Sequence, residues 1–189
     1  GLEMNVEEAV VMHSKPVYPA VLSLLGAGRR LLVIQDASLA EAARLHGQLS
    51  ADGQPLELAS LHGEAAWTGE HRSCGAFALL EVRLLSLLSS APVGTRLYVC
   101  GDESFLWKIS GLARDSGLLD EEIERVKVGA ARELYCVHCA TQQCIGAENV
   151  VVCSGCGVQL MVREHFSRRL GAYMGVCLDA QRPHGEGRP

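Results

Sequence analysis

The sequence lacks an apolar run long enough to cross a membrane, and it lacks an export signal. No stretch of about 18 uncharged apolar residues occurs, although 48% of the 189 residues are hydrophobic. The first 25 residues contain no basic start followed by an apolar core, which is the pattern of a secretory signal. The eight cysteines are therefore expected to be reduced, which predicts a cytoplasmic protein that does not bind a membrane.

The sequence also lacks an excess of positive charge. Its formal net charge is −5, and the acidity lies before residue 131. From residue 131 onward, six Lys/Arg stand against five Asp/Glu, a net charge of about +1 that is small for a nucleic-acid-binding surface. Nucleic acid is therefore not the expected partner. A regulatory or nucleic-acid-binding role through Arg163, Arg168 and Arg169 is an alternative hypothesis.

Two cysteine pairs carry the strongest chemical signal: Cys136 with Cys139, and Cys153 with Cys156. Thirteen residues separate the pairs. Each pair has the spacing of a knuckle, a tight turn that points two thiolates at one ion, and two knuckles give a closed tetrahedral site. We therefore predict that these four cysteines bind a metal ion as a zinc ribbon. Two disulfides, or four free thiols, are the alternatives.

The identity of the metal ion is less constrained than the ligands. A four-cysteine site with Cys-x-x-Cys-Gly knuckles also describes iron centres of the rubredoxin type. Here Gly157 follows the second knuckle, whereas Ala140 follows the first. This difference favours zinc, which has no redox chemistry, over iron.

The chain before the cysteine pairs alternates between strand and helix patterns. The predicted strands are 30–36, 56–61, 96–100 and 123–128, and the predicted helices are 39–49, 77–88 and 104–114. This order is typical of an α/β fold with an open, doubly wound parallel sheet. Ser38 is a candidate N-cap for the first helix, and the broad apolar pattern of 77–88 predicts deep burial.

Two domains are expected: an α/β domain over 5–130, and a zinc ribbon over 133–180. Within the first, residues 5–14 are a candidate strand or arm, and 20–25 are a candidate helical turn. Within the second, the run 165–176 mixes arginine with aromatic residues and methionine, types that are enriched in interface cores. It is predicted to be either a docking segment or a strap packed on the ribbon.

The run from Gly94 to Gly101, Gly-Thr-Arg-Leu-Tyr-Val-Cys-Gly, resembles the nucleotide domain of ferredoxin–NADP reductases. In that family a Tyr-x-Cys-Gly run ends a strand beside the nicotinamide. The resemblance implies a pyrophosphate loop at residues 14–19, but this stretch has no glycine, and its two prolines remove N–H donors. Asp102 also stands where the family usually has proline. We therefore expect a reductase-like fold that has lost its nucleotide.

The alternative is that this domain still binds NADPH and passes electrons onward. Lys15, Arg29 and Arg30 are the nearby cations that would then contact the phosphates. The absence of a glycine-rich loop makes this a small set of contacts for a dinucleotide.

The whole chain is similar to the small subunit of dimethylamine monooxygenase, the DmmA-like family. The two knuckles and the run HFSRRLGAYMGV, from His165 to Val176, carry this resemblance best. It implies a bacterial complex that uses NADPH and O2 to demethylate dimethylamine to methylamine and formaldehyde. It also implies partner subunits, one with haem and another with flavin and an iron–sulfur cluster.

The chain contains no pattern for the chemistry of that reaction. It has no haem ligand in a recognisable context, no nucleophile–base pair and no intact phosphate loop. No catalytic or nucleotide-binding residue is therefore predicted. The expected role is an auxiliary subunit that couples the reductase and haem subunits.

Overall fold

The computed structural model describes residues 15–19 and 28–178. The predictions for 5–14 and 20–25 lie outside these residues. Within Tyr18–Gly129 the described residues form one compact unit, here called the α/β unit, and those after it form a second, here called the cysteine unit. The limits 5–130 and 133–180 stay a prediction. In the described part of the chain, no helix has both the length and the apolar character needed to span a bilayer.

The α/β unit alternates strands and helices in the predicted order. Its elements are β1 (Arg29–Asp36), α1 (Ala40–Ser50), β2 (Leu56–His62), a 3-10 turn (Ala66–Thr68), α2 (Phe77–Ser89), β3 (Thr95–Gly101), α3 (Glu103–Asp115), a 3-10 turn (Asp120–Glu122) and β4 (Ile123–Lys127). The strands pair in parallel in the order β2-β1-β3-β4. The predicted α/β class with a parallel sheet is confirmed.

The chain reverses its direction across the sheet between β1 and β3. It moves from β1 outward to β2, and then returns past β1 to β3 and on to β4. Right-handed crossovers then place α1 on one face of the sheet, and α2 and α3 on the other. Leu45 and Leu49 of α1 belong to one buried cluster with Leu32, Ile34 and Tyr98 of the sheet. The carboxyl ends of β1 and β3 form the switch point at which sheets of this kind bind ligands.

Two local predictions in this unit are wrong. Ser38 does not cap α1, because Leu39 holds the cap position and Ser38 hydrogen-bonds the Asp36 carboxylate through its amide (2.9 Å) and hydroxyl (2.6 Å). Helix α2 is not buried all round: Leu80 is fully buried, whereas Val82 is exposed. Its broad apolar pattern therefore includes a face that is exposed among the described residues.

The cysteine unit is a five-stranded sheet in the order β6-β5-β9-β8-β7. Its strands are β5 (Arg132–Cys136), β6 (Gln142–Ile145), β7 (Val150–Val152), β8 (Gln159–Ser167) and β9 (Ala172–Cys177). The predicted hairpin around the second knuckle is confirmed, since β7 and β8 pair antiparallel. β5, β6 and β9 were not predicted.

Candidate metal centre

The four predicted ligands lie together at one end of the cysteine unit. Cys136 ends β5, and Cys153 directly follows β7. The four sulfur atoms all lie within 4.8 Å of one another, with 3.6 Å between those of Cys139 and Cys153 and 3.9 Å between those of Cys136 and Cys156. Four thiolates at this separation could hold a single metal ion. Metal binding by these residues stays a prediction.

The two knuckles have the same backbone conformation. The Ala140 amide donates to the carbonyl of Cys136 (2.8 Å), and the Gly157 amide donates to that of Cys153 (2.9 Å). Ala140 and Gly157 occupy the left-handed region, with φ of 65° and 76°. Because the alanine adopts the conformation that glycine adopts in the other knuckle, its presence does not separate a zinc site from an iron site.

Ala140 is strained in a way that a substitution can test. The left-handed region costs an L-residue about 1 kcal/mol, and glycine avoids this cost. Ala140→Gly should therefore raise the free energy of unfolding of the metal-loaded cysteine unit by up to about 1 kcal/mol, and Gly157→Ala should lower it by a similar amount. Chemical denaturation of the full chain measures both. Equal stability in the two variants would contradict the observed backbone.

Hydrogen bonds lower the pKa of two of the four thiols. The Thr141 hydroxyl lies 3.1 Å from the sulfur of Cys139, and this contact, with the Thr141 amide, lowers the pKa of Cys139 to about 6. The amides of Cys156 and Gly155 lower the pKa of Cys153. These two sulfur atoms face each other across the cluster. Burial raises the pKa of Cys136, and the pKa of Cys156 is also raised, so the thiolate, the form that binds a metal ion, is favoured at Cys139 and Cys153 only.

Gly155 and Thr141 hold the two knuckles against each other. A Cβ atom at position 155 would overlap the Thr141 side chain and lie 3.1 Å from the sulfur of Cys139. Only glycine therefore lets the second knuckle approach the first this closely. The cysteine spacing predicted that the four cysteines lie together, but it did not predict the contact of Gly155 with Thr141. The glycine at position 155, between Cys153 and Cys156, could have indicated a close approach of the two knuckles.

The described residues do not leave the switch point of the sheet open. Gln35 at the end of β1 and Asp102 after β3 form two hydrogen bonds: the Gln35 amide donates to the Asp102 carboxylate (3.0 Å), and the Asp102 backbone amide donates to the Gln35 oxygen (2.7 Å). The Asp102 carboxylate also accepts from the Phe105 amide (2.9 Å) and caps α3. The Asp102 carboxylate therefore accepts from the Phe105 amide, one of the amides at the start of α3 that could otherwise bind a phosphate.

Tyr18, in the stretch where the resemblance implies a pyrophosphate loop, contacts α3. The Tyr18 hydroxyl donates to the carboxylate of Glu103 (2.7 Å) and accepts from the indole of Trp107 (3.0 Å). Glu103 is buried, and Lys127 lies 5.6 Å from the centre of the Tyr18 ring. This segment contributes an aromatic ring beside a buried carboxylate rather than a row of open amides.

Two of the three cations named for the NADPH alternative form ion pairs with carboxylates of this chain. Arg30 is buried and makes a bidentate ion pair with Asp52, at 2.7 and 2.8 Å. Arg29 pairs with Glu57. The third, Lys15, lies on an exposed segment.

His62, His71 and Cys100 lie outside the four-sulfur cluster. His71 contacts the buried hydroxyl of Ser60 through Nε2 (2.8 Å), and this fixes the loop after β2, while His62 is exposed. Cys100 is buried in the sheet, and burial raises its pKa to about 11. Within the described residues, the four knuckle cysteines form the group able to hold a metal ion.

The aromatic residues of the run 165–176 do not form a docking surface. Phe166 is the last residue but one of β8, and Tyr173 is the second residue of β9. Both are buried, and their rings make an edge contact with centroids 4.9 Å apart. The guanidinium of Arg132 lies 5.4 Å from the Tyr173 ring. The interpretation as a docking segment is therefore wrong for these aromatics, because they form the core of the small sheet.

Two family models match most of the chain. The N-terminal domain of dimethylamine monooxygenase subunit DmmA-like proteins matches residues 10–123, and the C-terminal domain of the same family matches residues 133–176. A curated relative from Ectopseudomonas mendocina (strain ymp), the heme-dependent oxidative N-demethylase delta subunit, is 39% identical over 175 residues. The match covers 90% of this chain and 91% of the relative.

A solved structure shows a weaker likeness. It is phthalate dioxygenase reductase, described as a modular structure for electron transfer from pyridine nucleotides to 2Fe–2S. The identity is 15% and the TM-score is 0.43, and the match covers 69% of this chain but only 47% of that chain. This chain thus spans about half the length of that reductase, and a likeness at this level supports no conclusion about activity.

Proposed function

The chain belongs to the DmmA-like family of dimethylamine monooxygenase subunits, and we propose that it is an auxiliary, non-catalytic subunit of a haem-dependent oxidative N-demethylase. Its partners are the subunit that carries haem and the subunit that carries flavin and an iron–sulfur cluster. The substrate of the complex is dimethylamine. The similarity to a delta subunit over nine-tenths of the chain supports membership of such a complex.

The filled switch point is the observation that supports a non-catalytic role most strongly. Gln35 and Asp102 bond across the carboxyl ends of β1 and β3, where a nucleotide would otherwise enter. At Gly101 a Cβ atom would overlap Phe105 and approach Gln35, so the backbone there is already enclosed by side chains. A closed crevice leaves the α/β unit as a scaffold.

The second part of the proposal is that Cys136, Cys139, Cys153 and Cys156 hold a structural zinc ion. Four sulfur ligands from two knuckles, with thiolates favoured at Cys139 and Cys153, fit this ion. Zinc supplies no redox chemistry, so its role would be to hold the two knuckles of a small sheet together. Iron has the same ligand preference, and a visible spectrum with elemental analysis separates the two.

The purified full chain should not bind NADPH or NADP. We expect no heat of binding in calorimetric titrations up to about 1 mM nucleotide, because the crevice is closed and Arg29 and Arg30 are paired. The same NADPH solution titrated into the reductase subunit is the control. A dissociation constant below about 0.1 mM would favour the alternative in which this chain binds NADPH.

The scaffold role is tested by leaving this chain out of the complex. The haem and reductase subunits are produced with and without it, and NADPH-driven demethylation of dimethylamine is measured at low subunit concentration. Without the chain the rate should fall by at least about tenfold, since a scaffold acts by raising the effective concentration of its partners. Higher subunit concentrations should restore the rate. An unchanged rate in dilute solution would contradict the proposal.

A further inference from the structure

The centre of the outward face of α2 carries no charge, and Arg83 and Glu81 lie at its two edges. It is formed by small or aliphatic residues at helical spacing: Ala78, Leu79, Val82, Leu85, Ser86 and Ser89. Leu79, Val82 and Leu85 are 58%, 66% and 41% exposed. The opposite side of the same helix packs on the sheet through Leu80, Leu84, Leu87 and Leu88. The helix is therefore apolar on two sides, and within residues 15–19 and 28–178 only one of them is covered.

The other two helices of the α/β unit expose none of their large aliphatic side chains. α1 exposes Arg44 and Gln48, and α3 exposes Lys108 and Arg114. A surface helix of a globular protein normally places such residues on its outer side, and its apolar stripe faces the core. An uncharged outward face is instead the composition of an interface core, where charged residues are depleted.

Positive charge lies along one side of this face. Arg83 and Arg72 are both exposed; burial lowers the pKa of His71, and the charges of these two arginines lower it further. Within residues 28–178, neither arginine forms an ion pair. The loop that carries Arg72 is held in place, because His71 and Ser73 both contact the buried hydroxyl of Ser60. The arginines thus form a fixed positive border.

We propose that the outward face of α2 is the surface by which this chain docks onto another subunit of the oxygenase, and that the partner offers an apolar ridge with carboxylates along the side that meets Arg72 and Arg83. The ridge packs on the uncharged centre of the face, and the carboxylates form ion pairs with Arg72 and Arg83. An uncharged core with a polar border is the usual anatomy of a protein–protein interface. The inference rests on the proposed function, since it requires that the chain be part of a complex.

The test places a carboxylate in the face without disturbing the helix. Leu79→Asp lies in the first turn of α2, where an acidic side chain suits the helix dipole. In the co-produced complex, we expect this variant to weaken association with the partner subunit by at least about tenfold, because a buried carboxylate would lack a partner. Leu39→Asp is the matched control: it makes the same change at the cap of α1, on the other face of the sheet, and should leave association unchanged.

A second variant tests the contribution of the positive charge beside the face. Arg83→Glu should weaken association by about threefold to tenfold at low salt and by less at high salt, since exposed charges are screened. Circular dichroism of each variant checks that it is folded.

Three other outcomes would overturn the interface, the proposed function or the identity of the partner. If Leu79→Asp remains in the complex with native affinity, the interface is overturned while the proposed function stands. If the unaltered chain does not associate with the other subunits, both fail. If the chain alone is a dimer that Leu79→Asp dissociates, the face joins two copies of this chain and the proposed partner is wrong.

Discussion

Cys153→Ser is expected to release the metal ion and unfold residues 132–177 while the α/β unit stays folded. The cysteine unit is a small sheet of five strands, and a domain of this size buries too little apolar surface to be stable without further support. Structural zinc contributes on the order of 10 kcal/mol of apparent binding free energy, comparable to the whole stability of a domain. Loss of one of four thiolates removes most of this contribution.

The measurement combines metal analysis with hydrogen exchange. The unaltered chain should contain about one zinc ion, and Cys153→Ser should contain little, with loss of amide protection confined to the cysteine unit. Cys144→Ser is the matched control, because Cys144 is an exposed cysteine of the same unit and lies outside the four-sulfur cluster. It should retain both the metal and the protection. Full zinc content in Cys153→Ser would contradict the assignment of this ligand.

Phe166→Ala is expected to cost about 3–5 kcal/mol of unfolding free energy, the usual range for deleting a fully buried phenylalanine. The ring is 0% exposed and meets Tyr173 across the hairpin of β8 and β9. A cavity of this size in so small a core cannot be refilled by neighbours. The cysteine unit should therefore unfold at much lower denaturant concentration, and it should lose zinc more readily to a chelator.

This substitution also separates the two interpretations of the run 165–176. If Phe166 were an anchor for a partner, Phe166→Ala would weaken association with the other subunits but leave the isolated chain as stable as before. Arg169→Ala, at the exposed turn of the same hairpin, is the control and should change stability by less than about 0.5 kcal/mol. Equal stability of the two variants would show that the aromatic ring is not part of the core.

The clustering of Cys136, Cys139, Cys153 and Cys156 could be predicted because cysteine spacing is a local property. Two cysteines separated by two residues can meet only through a tight turn, and this is true in any surrounding fold. The parallel sheet was predictable for a similar reason, since alternating strand and helix patterns leave few ways to connect the strands. The spacing could not predict the contacts around the four cysteines, such as that of Thr141 with Gly155.

The burial of side chains in the run 165–176 and in the helix at 77–88 was harder to predict. Composition does not show which side chains other elements of the fold cover. Phe166 and Tyr173 have the composition of an interface but lie within a hairpin core. Leu79 and Val82 have the composition of a core but lie at the surface. The same apolar side chain serves either purpose, and only the neighbouring elements decide between them.

The sequence by itself determined the four-cysteine cluster and the strand–helix order, because short spacings and periodicities depend on neighbours along the chain. Tertiary structure alone decided that the switch point is closed: Gln35 and Asp102 are 67 positions apart, and Tyr18 and Glu103 are 85 apart. Contacts over such separations depend on strand order and register, which few local signals encode. Through these contacts the side chains of Gln35 and Asp102 meet at the carboxyl ends of β1 and β3, and Tyr18 meets the first turn of α3.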